Sequence, residues 1–479
     1  MRTDLILKYL GYVFLLNAVF LLISAGVSLY NTEESALPLL FCGIICLVFG
    51  VFPMIFVDSR EAATHIEGLV IVVSGWLLTC IIGMLPYLMW GGEFTVINAW
   101  FESVSGFTTT GSSILTDVEK LPAGILFWRS STHWIGGVGV IIFVLFVLPR
   151  GRKTRHTLVH TEISDLAMTD FQYRAKKVIR ILVGVYAGLT ILEIVSLKLC
   201  GMSMFDAVNH SFATIATGGF STKNLSIAHF NSLSVEVVII IFMVVSGLHF
   251  GLIFGTIAGK RENLFRSPVV RAFLLVMIIG IVLASLKLYY NGDYGIADSF
   301  RYASFQVVSV ATTTGFATVD TAAWPAFVQL LLIYFTIQCA MVGSTSGGLK
   351  FDRIFIFFKS AAKQLRMVRH PNAVFALKVG HKSISESLER QTMIFIVLYI
   401  VILFSTTIIL SFMDVDVTTA FSASITTIGN VGPGFGEVSS MGNFSSIPDL
   451  GKLFLTLNML LGRLEIFNII ALIFMRRDV

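Results

Sequence analysis

A four-residue Thr-Gly signature returns four times along this chain, and it restricts the possible folds more than any other feature. It reads Thr-Thr-Thr-Gly at Thr108–Gly111, Ile-Ala-Thr-Gly ending at Gly218, Thr-Thr-Thr-Gly at Thr312–Gly315 and Thr-Thr-Ile-Gly ending at Gly429. From Gly111 to Gly218, Gly315 and Gly429 the steps are 107, 97 and 114 residues. One unit of about a hundred residues is therefore used four times. Each copy follows a short apolar stretch and is flanked by longer ones. The first stretch, Phe94–Phe107, has 14 residues. As a helix it would measure roughly 21 Å, too short for a hydrocarbon core of about 30 Å and suited to a re-entrant half-span.

Glycine lets the backbone turn its carbonyls where other residues cannot, and threonine adds a hydroxyl acceptor. Four such loops converging on an axis would form rings of oxygens that replace a cation's hydration shell. Each half-span, if helical, would aim the negative end of its dipole at the ion.

Composition sets the medium. The 479 residues are 55% hydrophobic and 13% charged, with a mean hydropathy of +0.84, as in a polytopic membrane protein whose partner is the lipid bilayer. Ten long apolar stretches are expected to span it, near 5–30, 37–58, 66–91, 124–148, 177–199, 233–258, 268–290, 325–358, 391–413 and 450–475. The first two precede the repeat. The other eight pair around half-spans near 94–108, 204–217, 298–313 and 416–428. An even number of spans then separates successive loops, so the repeats run parallel. The expected units are 1–62, with two extra helices, then 63–160, 161–262, 263–385 and 386–479. The start resembles a signal peptide, with Arg2 and Lys8 before an apolar run and Ser24-Ala25-Gly26 as a possible cleavage site. The run from Tyr9 to Ile23 is long for that role, and an uncleaved helix is expected.

Charge sets the orientation. With the N-terminus in the cytoplasm and ten spans, 26 of the 34 Lys and Arg fall at cytoplasmic positions, so both termini are cytoplasmic and the Thr-Gly loops open outward. Arg150, Arg152, Lys153, Arg155, Arg174, Lys176, Lys177 and Arg180 follow the fourth span, and residues 350–390 hold nine more. The connections at 150–176 and 359–390 are the intracellular surfaces large enough to dock a soluble partner. Five cysteines, Cys42, Cys46, Cys80, Cys200 and Cys339, lack paired spacing and read as packing residues.

No Ser/His/Asp set, paired carboxylates or metal-binding motif points to an enzyme, a bound cofactor or a nucleic acid. Gly343-Ser344-Thr345-Ser346-Gly347-Gly348-Leu349-Lys350 superficially resembles a phosphate loop, but Leu349 stands where lysine is required. It lies inside the stretch 325–358, whose 34 residues would be roughly 51 Å of helix, far more than a bilayer core needs. An unwound intramembrane loop beside the pore, acting as a gate, is the expectation. Lys350 and Arg463 are basic residues inside apolar spans and carry a functional expectation of their own. Glu465 and Asp352 are the acidic residues nearest them in sequence, too close along one helix to face them. Arg129 and His133 share one helical face, and Gly136 and Gly139 suit close packing.

The four loops, His133-Trp134-Ile135-Gly136-Gly137-Val138-Gly139, Ile215–Thr222, Gly343–Lys350 and Thr426–Gly434 together resemble the Trk/Ktr/HKT superfamily of potassium transporters, from about residue 66 to the C-terminus. With its two extra N-terminal spans the chain is most similar to the bacterial Trk-type membrane subunits. The resemblance implies potassium uptake across the bacterial inner membrane, a pseudo-fourfold pore within each subunit, a homodimer and a cytosolic nucleotide-binding regulatory subunit of the RCK/TrkA type. It implies a potassium filter of Thr109, Thr110, Gly111, Ala216, Thr217, Gly218, Thr313, Thr314, Gly315, Thr427, Ile428 and Gly429, with Gly432 the alternative in the fourth loop. Glycine rather than serine at Gly111 favours potassium over sodium. Ala216 and Ile428 depart from the threonine pattern, so the four loops differ chemically. A proton- or sodium-coupled secondary transporter is the alternative, disfavoured because its repeats would be inverted.

Overall fold

In a computed structural model the described residues are 2–57, 64–147, 175–259, 263–373, 375–380 and 382–475. The basic connection expected at 150–176 lies, up to residue 174, outside them. The chain is built from helices, as backbone in lipid requires. In order these are α1 (Thr3–Tyr30), α2 (Ala36–Phe56), α3 (His65–Trp90), α4 (Val96–Phe107), α5 (Ala123–Val147), α6 (Ala175–Leu199), α7 (Met204–Ile215), α8 (Leu233–Ser246), α9 (Phe250–Ile257), α10 (Pro268–Asn291), α11 (Ile296–Ala311), α12 (Ala326–Gln338), α13 (Phe351–Arg369), α14 (Glu386–Phe412), α15 (Val417–Ile428), α16 (Asp449–Leu464) and α17 (Ile466–Met475). One two-residue hairpin, Lys378–Val379 with Lys382–Ser383, departs from the all-α expectation.

Helices α1, α2, α3, α6, α10 and α14 are each long and apolar enough to cross a membrane, and α8 with α9 makes a seventh span bent by 101°. The expected half-spans are the short helices α4, α7, α11 and α15. Three of them start on a side-chain cap: Thr95, Ser203 and Asp416 accept from backbone N–H groups of the first turn. The helix following each half-span differs between repeats. It is continuous in α5, bent between α8 and α9, open over Cys339–Lys350 between α12 and α13, and broken at Glu465 (φ 62°) between α16 and α17.

The break at 339–350 was expected from length. The other two were not, since 233–258 and 450–475 read as continuous apolar runs. The bend after Ser246 has a local cause, because the His249 imidazole accepts from Gly251 N and caps α9. It also has a distant one, because Phe250 N donates to Gly343 O at 3.0 Å.

One apolar core joins the N-terminal pair to the first and last units. It packs Leu21 of α1, Trp76 of α3, Phe101 and Phe107 of α4 and Trp128 of α5 with Leu455 and Met459 of α16. A second joins the middle units through Ile239, Met277, Phe305 and Phe335.

Candidate ion-conducting site

All four short helices end in the same turn. Thr108, Ala216, Thr312 and Gly429 are the C-caps, and the next residues, Thr109, Thr217, Thr313 and Asn430, have φ of 52°, 55°, 59° and 52°. In each, that left-handed residue donates its N–H three residues back, to Gly106, Thr214, Val310 and Thr427. The next residue donates five back, to Ser105, Ala213, Ser309 and Thr426, at 2.8–2.9 Å. This is the Schellman motif. It consumes the carbonyls of the last helical turn and leaves those of the following loop without partners. Among the described residues no donor reaches the carbonyl oxygens of Thr109, Thr110, Thr217, Gly218, Thr313, Thr314, Asn430 or Val431.

Two residues past each left-handed position stands a glycine with positive φ: Gly111 (83°), Gly219 (81°), Gly315 (79°) and Gly432 (94°). These glycines close the ring. A Cβ on Gly111 would strike Gly218 O, one on Gly219 would strike Thr314 O, one on Gly315 would strike Val431 O, and one on Gly432 would lie 2.6 Å from Thr110 O. The contacts thus run from loop one to two, three, four and back to one. The first and third loops share side-chain bonds as well, with Thr108 paired to Thr110 and Thr312 to Thr314 at 2.8 Å each. Asn430 Nδ2 donates to Thr110 Oγ1 at 2.9 Å across the last joint.

The register differs from the one the Thr-Gly pattern picks. Gly218 occupies the place of Thr110, so the counterpart of Gly111 is Gly219. Thr427 and Ile428 are the last two residues of α15, with the Thr427 hydroxyl bonded to Ala423 O at 2.6 Å, and Gly429 is the C-cap. The fourth loop is Asn430-Val431-Gly432, and Ala216 is a C-cap like Thr108. The pattern misses Asn430 because it tracks Thr and Gly, whereas the left-handed position accepts asparagine through its short polar side chain.

The stretch 343–350 lies against these loops. Thr345 Oγ1 donates to Ile215 O at 3.0 Å and lies 3.3 Å from Thr217 Oγ1. Gly347 abuts Asn430, and Gly348 N donates to Gly462 O at 3.2 Å. Arg463, 5% exposed, donates to Thr345 O and, at 2.8 Å, to Gly136 O. Lys350 and Arg353 both pair with Glu465, at 3.3 and 2.8 Å, while Asp352 accepts from Val342 N at 2.7 Å. Lys350 thus finds its acid on a different helix. On the loop side of the fold, Asn224 of the second unit bonds Asp117 at 2.8 Å, and with Lys120 it holds that carboxyl below its usual range.

Apolar spans around short helices that end at a closed ring of carbonyls, unpaired among the described residues, fit the class of membrane-embedded cation transport proteins. The TrkH family model, described as a cation transport protein, matches residues 41–477. The Trk system potassium uptake protein TrkH of Escherichia coli K12 is 36% identical over 410 residues, 85% of this chain and 84% of that one. TrkH of Vibrio parahaemolyticus is 32% identical over 484 residues, 98% of each. The crystal structure of the V. parahaemolyticus potassium transporter TrkH superposes with a TM-score of 0.89 at 31% identity, covering 98% of both chains. The chain belongs to the TrkH family.

Proposed function

We propose that the protein takes up potassium across the bacterial inner membrane, through a pore filtered by its four Thr-Gly loops. The observation that carries this reading is the cyclic closure of the loops with their carbonyls unpaired. Potassium sheds its hydration shell at a comparatively low free-energy cost, and rings of such oxygens can replace it. The filter comprises Thr109-Thr110-Gly111, Thr217-Gly218-Gly219, Thr313-Thr314-Gly315 and Asn430-Val431-Gly432. The short helices point their negative ends at it. Gly343–Gly348, with Arg463 and Lys350, forms the gate beneath. Both termini lie in the cytoplasm, the chain forms a homodimer, and a nucleotide-binding regulatory subunit of the RCK/TrkA type docks on the cytoplasmic side, with 359–390 as its surface. The naming of the relatives as potassium uptake proteins supports the choice of ion.

The test is rubidium and sodium flux into liposomes holding the full-length protein, alongside growth of a potassium-transport-deficient host on limiting potassium. Rubidium should enter down its gradient with no stoichiometric co-ion, and growth should be restored. Obligatory cotransport of protons or sodium at a fixed ratio would replace the pore with a carrier.

A further inference from the structure

Two charged side chains that play no part in the loop ring lie directly behind it. Glu102 and Arg129 are 0% and 3% exposed. Glu102 stands five residues before the end of α4 and accepts from Arg129 Nε at 2.6 Å. Its oxygens also accept from the Ser113 hydroxyl at 3.0 and 3.1 Å and from Ile114 N at 3.1 Å. Those donors sit two and three residues past Gly111, on the strand leaving the first loop. Arg129 reaches the second loop. Its Nη1 donates to Ser221 O at 3.0 Å, and its guanidinium carbon lies 3.5 Å from the centre of the Phe220 ring. Ser221 is two residues past Gly219, the place that Ser113 holds in the first loop. One turn along α5, the His133 ring stacks on Phe220 at 4.0 Å and 20°, and it also fills the space a side chain on Gly218 would need.

We propose that Glu102 and Arg129 are a specificity-determining positioning pair: they fix the first and second filter strands relative to each other and so set the width of the oxygen ring. This rests on the filter reading above. Neither residue touches the ion. Apart from the bond between them, their hydrogen bonds end on the two strands that carry the loops.

The other units hold their strands more weakly at the same place. His210 Nε2 lies 2.9 Å from the Ser221 hydroxyl, and Gln306 Nε2 donates to Val319 O at 3.1 Å. In the fourth unit Ala423 occupies the position, and the adjacent Ser422 hydroxyl accepts from Phe435 N instead. Among the described residues, the joint between loops one and two is the one whose loop strands are held by opposite charges. Taking away one of two buried charges strands the other, so this joint responds most strongly to substitution.

The experiment uses the full-length protein in liposomes and reads two quantities, the potassium-over-sodium preference from reversal potentials and the thermal midpoint. The variants are Glu102→Gln, the double Glu102→Leu/Arg129→Met, and Arg129→Lys. The reference is another ion pair, Glu236 with Arg301 at 2.6 Å, which ties α8 to α11 rather than to a loop. Glu102→Gln and the double variant should lose preference about tenfold, on the scale of losing a hydrogen bond to a charged group, since both weaken or delete the bonds to Ser113 and Ile114. Arg129→Lys should retain part of it, and Glu236→Leu/Arg301→Met should lower only the thermal midpoint. Unchanged preference in both Glu102 variants, or an equal loss from the reference pair, would overturn the proposal and leave the pair a structural tie. If neither Glu102 variant assembles, Ser113→Ala and Phe220→Leu decide, with loss of preference supporting the strut and full retention overturning it. A parent protein without potassium preference, or one indifferent to Gly111→Ser, would bring down the filter reading itself, which is a separate failure.

Discussion

Thr109, Thr217, Thr313 and Asn430 hold a backbone conformation that costs an L-residue roughly 1–2 kcal/mol. Such strain persists only where the surroundings dictate it, and it gathers at functional positions. Here the paired Schellman bonds dictate it, and the glycines two residues on allow neighbouring loops to touch. This separates two glycines that the sequence pattern cannot tell apart. Gly432 has φ 94° and faces Thr110 O, whereas Gly429 has an ordinary helical φ of −76°, and a Cβ there would fit tightly, 3.0 Å from Ile425 O and 3.1 Å from Thr336 O. Gly432→Ala should therefore abolish potassium preference or folding, while Gly429→Ala should keep preference with a modest loss of stability. Reversal potentials and thermal midpoints of the two purified variants check this, and the opposite order would return the filter to Gly429. The motif alone reveals that four loops exist. It does not reveal their register, because helix ends are set by hydrogen bonds that threonine, alanine and glycine C-caps satisfy equally.

At the scale of elements, the stretch Cys339–Lys350 is tied directly to the units that carry the second and fourth loops and, through Arg463, to the one that carries the first. Thr345 binds the second loop, Gly347 and Gly348 pack on the fourth, Met341 N donates to Gly247 O at 3.2 Å, and Arg463 bridges Thr345 O to Gly136 O in the first. The ends of the stretch are anchored by buried apolar residues, Ala340, Met341 and Leu349, but its middle, Gly343–Gly348, has no apolar side chain and rests on these polar contacts. A stretch with few apolar anchors belongs to the low-stability end of a protein, where moving parts are found. Thr345→Val keeps its shape and deletes its hydroxyl, and Arg463→Ala releases the bridge. Each removed bond is worth about 1–3 kcal/mol, so each variant should raise open probability several-fold in single-channel recordings without altering ion preference. A loss of preference would make the segment part of the filter, and unchanged gating would make it a passive kink. That this helix must break was legible from its length and its Gly-Ser content. The bend at Gly247–His249 and the break at Glu465 were not. Both involve residues distant in sequence, Gly343 beside the local His249 cap in one case and Lys350 with Arg353 in the other.

At the scale of the molecule, the four units close on themselves within a single chain. The joint between the last and the first is as well made as those between neighbours, with Asn430 to Thr110 at 2.9 Å and Phe444 N to Ser113 O at 2.8 Å. The four Thr-Gly signatures made four loops legible, whereas their closure into a ring is read from the contacts of Gly111, Gly219, Gly315 and Gly432. The ion pair of Glu102 and Arg129 was not legible, since Arg129 shares a helical face with His133 and no partner is evident in the sequence. Closure within the chain has a consequence for any assembly. A filter shared among subunits is spoiled by one defective member, so selective conduction falls as a power of the normal fraction. A filter completed by each chain is not spoiled in this way, and a dimer of such chains holds two independent pores. Co-expressing the parent with Gly111→Ser, under separate affinity tags, and purifying particles that carry both tags tests this directly. The mixed particles should conduct at two levels, one potassium-selective and one not, with the selective level equal to that of the parent. A single intermediate preference, or no selective level at all, would mean that the pore is built between chains and that the ring within one chain is not the filter.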